Sequence, residues 1–189
     1  MFMSRLKSRL SRFREDTGGV VTVEMVITMP LLIWALAATY DFFEIHRHKA
    51  VREKATYTVA DMFSREQAPV TDSYMDGAHD LFNSMTNDDS PVQIRVTVVV
   101  YDEDENQYSV VWSRVRGTGA LAALSDAEVR SGGIPLPKMI DGQQIVLVSS
   151  LSTYNPAFNV GLENSIRVET SQFMNLRFAP QLCFETTCS

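Results

Sequence analysis

The chain opens its patterned part with an apolar run. Residues 20–40 read VVTVEMVITMPLLIWALAATY, and Glu24 is the only charge among them. As a helix this run rises about 31 Å, close to the hydrocarbon thickness of a bilayer. It therefore predicts a transmembrane helix. Trp34 and Tyr40 lie toward its far end, where amphipathic aromatics favour the membrane interface. Helical periodicity then continues. From Asp41 to Arg65 there is neither proline nor glycine, and Val51, Ala55, Val59, Met62 and Phe63 recur at spacings of three and four. This stripe is expected to cover the core of the following domain, with Arg52, Glu53 and Lys54 on the other face. One helix over residues 20–65 results, half in the bilayer and half on a globular head.

Gln67-Ala68-Pro69 ends that helix. A second helix is predicted over Asp72–Met85, with Thr71 as N-cap and Leu81, Phe82 and Met85 facing inward. Asn87-Asp88-Asp89-Ser90-Pro91 is a turn cluster. The period then changes to two. Val92–Tyr101 and Gln107–Arg116 read as a β-hairpin around Asp102-Glu103-Asp104-Glu105-Asn106. Residues 117–142, rich in glycine and proline, read as a long connection with a short helix near Leu121–Val129. Gln144–Tyr154 and Ser165–Phe178 are two further strands, and Asn155-Pro156 and Gly161 punctuate the loop between them. The fold class is α+β: a long N-terminal helix, transmembrane then amphipathic, packed on a small antiparallel sheet of about four strands. Core candidates are Ile94, Val96, Val98, Val110, Trp112, Ile145, Leu147, Val168 and Met174.

Charge sets the orientation. Residues 1–19 carry Arg5, Lys7, Arg9, Arg12 and Arg14 against Glu15 and Asp16, a net of +3. The whole chain carries −6, which leaves −9 for the remainder. A basic tip before an apolar run keeps the tip cytoplasmic. The chain divides into a basic cytoplasmic leader (1–19), a transmembrane helix (20–40) and an extracytoplasmic domain (41–189). Arg47, Lys49, Arg52 and Lys54 follow the span, but Asp41, Glu44 and Glu53 largely offset them. An acidic chain argues against a nucleic-acid partner. A composition of 45% hydrophobic and 21% charged residues is ordinary for a globular protein and suggests neither disorder nor many spans.

Two residues do not suit an idle anchor. Glu24 sits about one turn inside the span, where a carboxylate costs several kcal/mol unless it is paired or reaches the headgroups. Pro30 removes a backbone donor in mid-helix and should bend or loosen it. A competing reading makes the run a cleaved secretory signal, with Ala35-Leu36-Ala37 as the small-x-small triplet. The long basic region, the glutamate and the apolar maximum beside that triplet oppose it.

Cys183 and Cys188 are the only cysteines. They either close a disulfide or stand as two thiols in a loose tail. Placement of the head outside the cytoplasm favours the disulfide. With His46, His48 and His79 they do not form a metal site. His46 and His48, two apart on a helix, do not share a face and are read as solvated residues above the membrane. The acidic segment 102–106 lacks the spacing of a calcium loop and reads as a solvated hairpin tip. No P-loop, GxSxG, HExxH or dinucleotide fingerprint is present, so the chain is expected to be neither an enzyme nor a cofactor binder.

The segment Asp16-Thr17-Gly18-Gly19-Val20-Val21-Thr22-Val23-Glu24-Met25-Val26-Ile27-Thr28-Met29-Pro30-Leu31-Leu32 resembles the TadE/TadG-like proteins of the tight adherence (Flp) pilus system. A basic stretch, a glycine turn, a glutamate, an apolar run, a proline and more leucines occur in the family's order. The resemblance is strong over this segment and loose over the head, where no diagnostic motif matches. It implies a pilin-like fold in the bacterial inner membrane, with a cytoplasmic N-terminus and a periplasmic head that enters the pilus or assists it. It implies pilins or pseudopilins, the inner-membrane assembly platform and a prepilin peptidase as partners. The same residues resemble a prepilin processing site, in which cleavage follows a glycine and the fifth residue beyond is glutamate. Gly19 and Glu24 fit that spacing, which implies a cut between Gly19 and Val20. Glu24 and Pro30 would then serve subunit contact in the membrane. Met25 stands where the major pilins of this system typically have tyrosine, and the head is larger than theirs. Both departures fit a minor pilin or pseudopilin, and the modest length without an adhesion-type metal motif fits a TadE-like member.

Two functions from different classes follow. One is a structural role in pilus assembly. The other is a monomeric membrane-tethered binding module unrelated to filaments, for which any apolar helix would replace residues 20–40.

Overall fold

The computed structural model describes residues 19–87, 91–158, 160–161 and 163–188. The basic tip of residues 1–18 and the centre of the turn cluster, residues 88–90, lie outside the described residues. Helix α1, Val20–Ser64, is a single helix of 45 residues, about 68 Å long. Its most apolar 18-residue window has a mean hydropathy of 1.9, and none of that window is covered by the rest of the chain. The helix is thus long and apolar enough to cross a bilayer.

The second half of α1 is different. Arg52, Ala55, Thr56, Val59, Ala60 and Phe63 are buried along one face, with Val51 and Met62 half-buried at its margins. The spacing of three and four places the apolar stripe where periodicity puts it. Arg52 corrects the expectation of a solvated face. Position 52 lies one turn before Ala55 and Thr56 on the buried side, and the residue is 1% exposed. Its Nη1 lies 3.5 Å from the His48 carbonyl. A guanidinium on a long apolar stem can line such a face where a shorter charged residue cannot.

Helix α2, Asp72–Thr86, begins at Thr71, whose hydroxyl accepts the Tyr74 N–H at 3.2 Å. Met75, Ala78 and Phe82 form its buried stripe. Leu81 is half-buried, whereas Met85, expected to face inward, is 37% exposed. The contact uses the first three turns, and the last turn overruns it.

Strands β1 (Val92–Asp102), β2 (Gln107–Gly117), β3 (Gln144–Tyr154) and β4 (Ile166–Asn175) form one antiparallel sheet in the order β2-β1-β3-β4. Alternation along the strands creates two cores, not the single one expected. Ile94, Val96, Val98, Trp112, Val146 and Val148 face α1 and α2. Ile145 and Leu147 face the other way and join Val99, Leu124, Val129 and Met139. Val168 is buried, while Val110 and Met174 are only half-buried. Val98 pairs with Trp112 and Val99 with Val110, so Val111 is an extra residue on β2, a bulge after which that strand changes face.

Between α1 and the sheet lies a ring of hydroxyls. Thr56 Oγ1 sits 2.7 Å from Thr170 Oγ1 and 3.2 Å from Ser150 Oγ, and these last two are 2.7 Å apart. Each buried hydroxyl therefore has a partner, which removes most of the cost of burying it.

The second core is closed by residues 118–143. Helix α3, Asp126–Arg130, is shorter and later than the helix expected at Leu121–Val129. The reason lies in the hydrogen bonds. Gln93 binds both backbone groups of Leu121, at 2.8 and 2.7 Å, Arg95 donates to Ala122 O at 3.1 Å, and the Leu124 N–H donates to Ser113 Oγ at 3.0 Å. Residues 121–124 thus pair with strand side chains and cannot pair among themselves. Helix starts only at Ser125, whose reciprocal bonds with Glu128 form a capping box.

Strand β4 also ends earlier than expected, at Asn175, because the chain turns to the end of α1. There the Arg177 N–H donates to Ser64 O at 2.9 Å, and the Arg177 guanidinium pairs with Asp61 at 2.9 Å. The following tail is packed, not loose. Leu182 and Phe184 are buried, Trp112 Nε1 donates to Leu182 O at 2.7 Å, and Val70 pairs with residues 183–185. Cys183 and Cys188 form a disulfide. Replacing both with serine should lower the unfolding free energy of the full chain in detergent by about 2 kcal/mol, the entropy of closing so short a loop. Denaturant titration followed by Trp112 emission in a Trp34→Phe background checks this; an unchanged midpoint means that Leu182 and Phe184 hold the tail alone.

Candidate functional site

Gly19 precedes α1 with φ −89° and ψ −3°, ordinary right-handed values. A Cβ added there meets no atom within 4 Å. Neither conformation nor packing in the described residues demands glycine at this position. Val20 is the first helical residue, and Glu24 follows about one turn later.

Every residue from Val21 to Trp34 is exposed, and Glu24 is the only charge among them. Among the described residues, the Glu24 carboxylate forms no ion pair and accepts no hydrogen bond. Its backbone carbonyl accepts the Thr28 hydroxyl at 2.8 Å, and Thr39 donates to Ala35 O in the same way at 2.8 Å. These bonds satisfy the hydroxyls within the helix itself. Pro30 supplies no N–H to the preceding turn, yet the helix continues through it without interruption. Gly19, Glu24 and Pro30 therefore share the uncovered part of α1, and the fold brings no other described charge to them.

From Val21 onward the first buried residue along α1 is Asp41, which is 0% exposed. It marks the junction of the uncovered helix with the head. Its two carboxylate oxygens lie 3.4 and 3.3 Å from the Phe158 N–H, which comes from the loop between β3 and β4. The Phe158 ring packs edge-on against Tyr40, with centroids 5.7 Å apart. Nearby, burial pushes the Tyr154 phenol above its ordinary pKa, aided by the charges of Asp41 and Glu44 and by Tyr40.

His48 packs against Tyr154 with ring centroids 5.0 Å apart and is half-buried. It is not the solvated residue expected, because position 48 follows Asp41 and Glu44 on the side of α1 that meets the end of β3. His46 does stay exposed and contacts Phe42, with centroids 4.5 Å apart. Of the cations beyond the apolar run, Arg47 pairs with Glu44 at 2.9 Å and Lys49 with Glu53 at 3.7 Å. Such exposed pairs contribute little to stability, but they leave less free positive charge beside the end of the run.

The junction leaves no local mark in the sequence. Asp41 and Phe158 are 117 positions apart, and no motif joins them. Asp41 counted only as an offsetting charge. The disulfide of Cys183 and Cys188 lies at the opposite end of the head, beside Val70 and the end of α1. Among the described residues, no group of three or more His, Cys, Asp and Glu side chains is arranged to hold a metal ion.

The architecture is pilin-like: a long apolar N-terminal helix whose second half packs on a four-stranded antiparallel sheet. The apolar helix and the disulfide are consistent with a head that lies outside the cytoplasm. No protein-family model, curated protein or solved structure matches the chain.

The junction has a pH signature. In the folded chain Tyr154 should ionise above the ordinary tyrosine value, and Asp41→Asn should bring it down. A raised folded value means that the stability from neutral Tyr154 is intact below the unfolded value of about 10 and is lost as pH climbs through the folded one. Alkaline unfolding of the wild type against Tyr154→Phe checks the sign: only the wild type should lose that increment.

Proposed function

We propose that the chain is a TadE-like minor pilin or pseudopilin that acts in assembly of a tight adherence (Flp) pilus at the bacterial inner membrane. The observation that carries this reading is a lone carboxylate, Glu24, on an uncovered apolar helix, five residues beyond Gly19. Within a bilayer a charge of that kind is costly, and it persists where a partner or a function requires it.

Processing by a prepilin peptidase between Gly19 and Val20 supplies such a partner. Removal of the leader creates a positive α-amine at Val20, about one helical turn from Glu24 of the same chain. In a filament or assembly complex, Glu24 pairs with the amine of a neighbouring pilin or pseudopilin, and each charge then offsets the cost of burying the other. Among the described residues Gly19 meets no conformational or packing requirement, which agrees with a glycine that serves a peptidase. Pro30 lies about one and a half turns beyond Glu24 and leaves a carbonyl of the preceding turn without its usual donor, a local irregularity that a packed neighbour can exploit.

The remaining features fit the same role. The uncovered half of α1 inserts in the membrane and contacts other subunits and the assembly platform, while its covered half carries the head into the periplasm. The head, with a disulfide and four strands, and Met25 beside Glu24 distinguish the chain from a short major subunit. No cofactor enters this function.

Glu24→Ala tests the assembly role. The variant should accumulate in the membrane at the wild-type level and fail to support pili or surface attachment, scored by electron microscopy and adhesion. Normal piliation in that variant would sink the proposal.

A further inference from the structure

The loop between β3 and β4 reaches back along the head to the end of the apolar run. Phe158 is fixed there twice: its N–H points at the Asp41 carboxylate, 3.3 and 3.4 Å from the two oxygens, and its ring meets Tyr40 at 5.7 Å. A fully buried carboxylate is a costly way to hold a loop backbone, so its position is informative. The two rings it brings together are nevertheless not covered. Phe158 is 47% exposed and Tyr40 51%.

They do not stand alone. Phe42 and Phe43 are 58% and 66% exposed at the same level of α1. At 3.6 residues per turn they point about 200° and 300° round the helix from Tyr40. Tyr40, Phe42, Phe43 and Phe158 thus surround the helix at one height, about 31 Å along the axis from Val20. That height is the far edge of a bilayer entered at Val20. A protein partner would cover one side of such a collar. A lipid interface covers all sides at once and favours aromatic rings.

We propose that the β3–β4 loop is a second membrane contact, in which Phe158 inserts into the lipid interface beside Tyr40 and Asp41 is the positioning residue that holds it there. The occupant is the headgroup and upper acyl region of the bilayer. With two contacts, the helix end and the loop, the head cannot swing freely about the helix. It is presented to assembly partners in one orientation. The inference rests on residues 20–40 being the span.

The test uses the full chain in phosphatidylcholine vesicles, in a Trp34→Phe background that leaves Trp112 as a buried reference. Phe158→Trp reports on the loop and Tyr40→Trp on the end of the helix. The indole at position 158 should be quenched by lipids brominated near the headgroup, about as strongly as the indole at position 40, and should be protected from aqueous acrylamide. Adding Asp41→Ala should reduce the lipid quenching at position 158 about twofold or more while quenching at position 40 persists. Adding Asp41→Asn, which keeps an acceptor, should retain it. Unchanged Trp112 emission shows that the head remains folded in each variant.

Quenching of position 158 by acrylamide, with position 40 still quenched by lipid, would overturn the loop contact and leave the span intact. Protection of position 158 from both quenchers would overturn it in favour of a protein contact. Loss of lipid quenching at both positions would refute the span itself and the loop contact with it.

Discussion

Helix α1 meets two environments, and the rest of the structure follows from how it changes between them. Before Asp41 it is apolar but for Glu24, and none of its described residues is buried. After Asp41 one face is covered by Ile94, Val96, Val98, Val146 and Val148 of the sheet through Ala55, Val59 and Phe63. Each of these larger side chains contributes roughly 1.5–3 kcal/mol by leaving water. The sheet needs that helix, because four strands with two apolar faces cannot remain open on one side. The other face is closed by a strap tied to Gln93, Arg95 and Ser113. The head is thus built onto the second half of this helix, and removing α1 would expose its principal core.

The polar residues on α1 mark the functional transitions. Arg52 and Thr56 are buried but face the backbone of their own helix and the hydroxyls of the sheet. Asp41 is buried where the helix meets the loop. Glu24 is different in kind: within the described chain nothing answers its charge. Burial inside one subunit explains the first three. The fourth calls for something outside it, and the proposed partner is the α-amine of another subunit.

Much of this was legible from period and punctuation. The change from spacings of three and four to alternation placed α1, α2 and four strands within a few residues, and Thr71 marked the start of α2. Gly19, Glu24 and Pro30 stand out in the sequence because their signals are local. What pattern could not show was long-range. Arg52 looked solvated because charge outweighed its position on the wheel. The helix expected at Leu121 gave way to side chains on β1 and β2, which lie near in space and far in sequence. Ile145 and Leu147 looked like partners of Ile94, because alternation shows that a strand has two faces but not that both are buried. The contact of Asp41 with Phe158 had no local signal at all.

The central claim is that α1 is delivered to the membrane as a pilin helix beginning at Val20, with Glu24 as its fifth residue. Intact mass and N-terminal sequencing of the protein purified from its native membrane test this directly. The account predicts a chain that starts at Val20. A chain that keeps Met1, or one that starts at Ala38 after secretory cleavage, would contradict it.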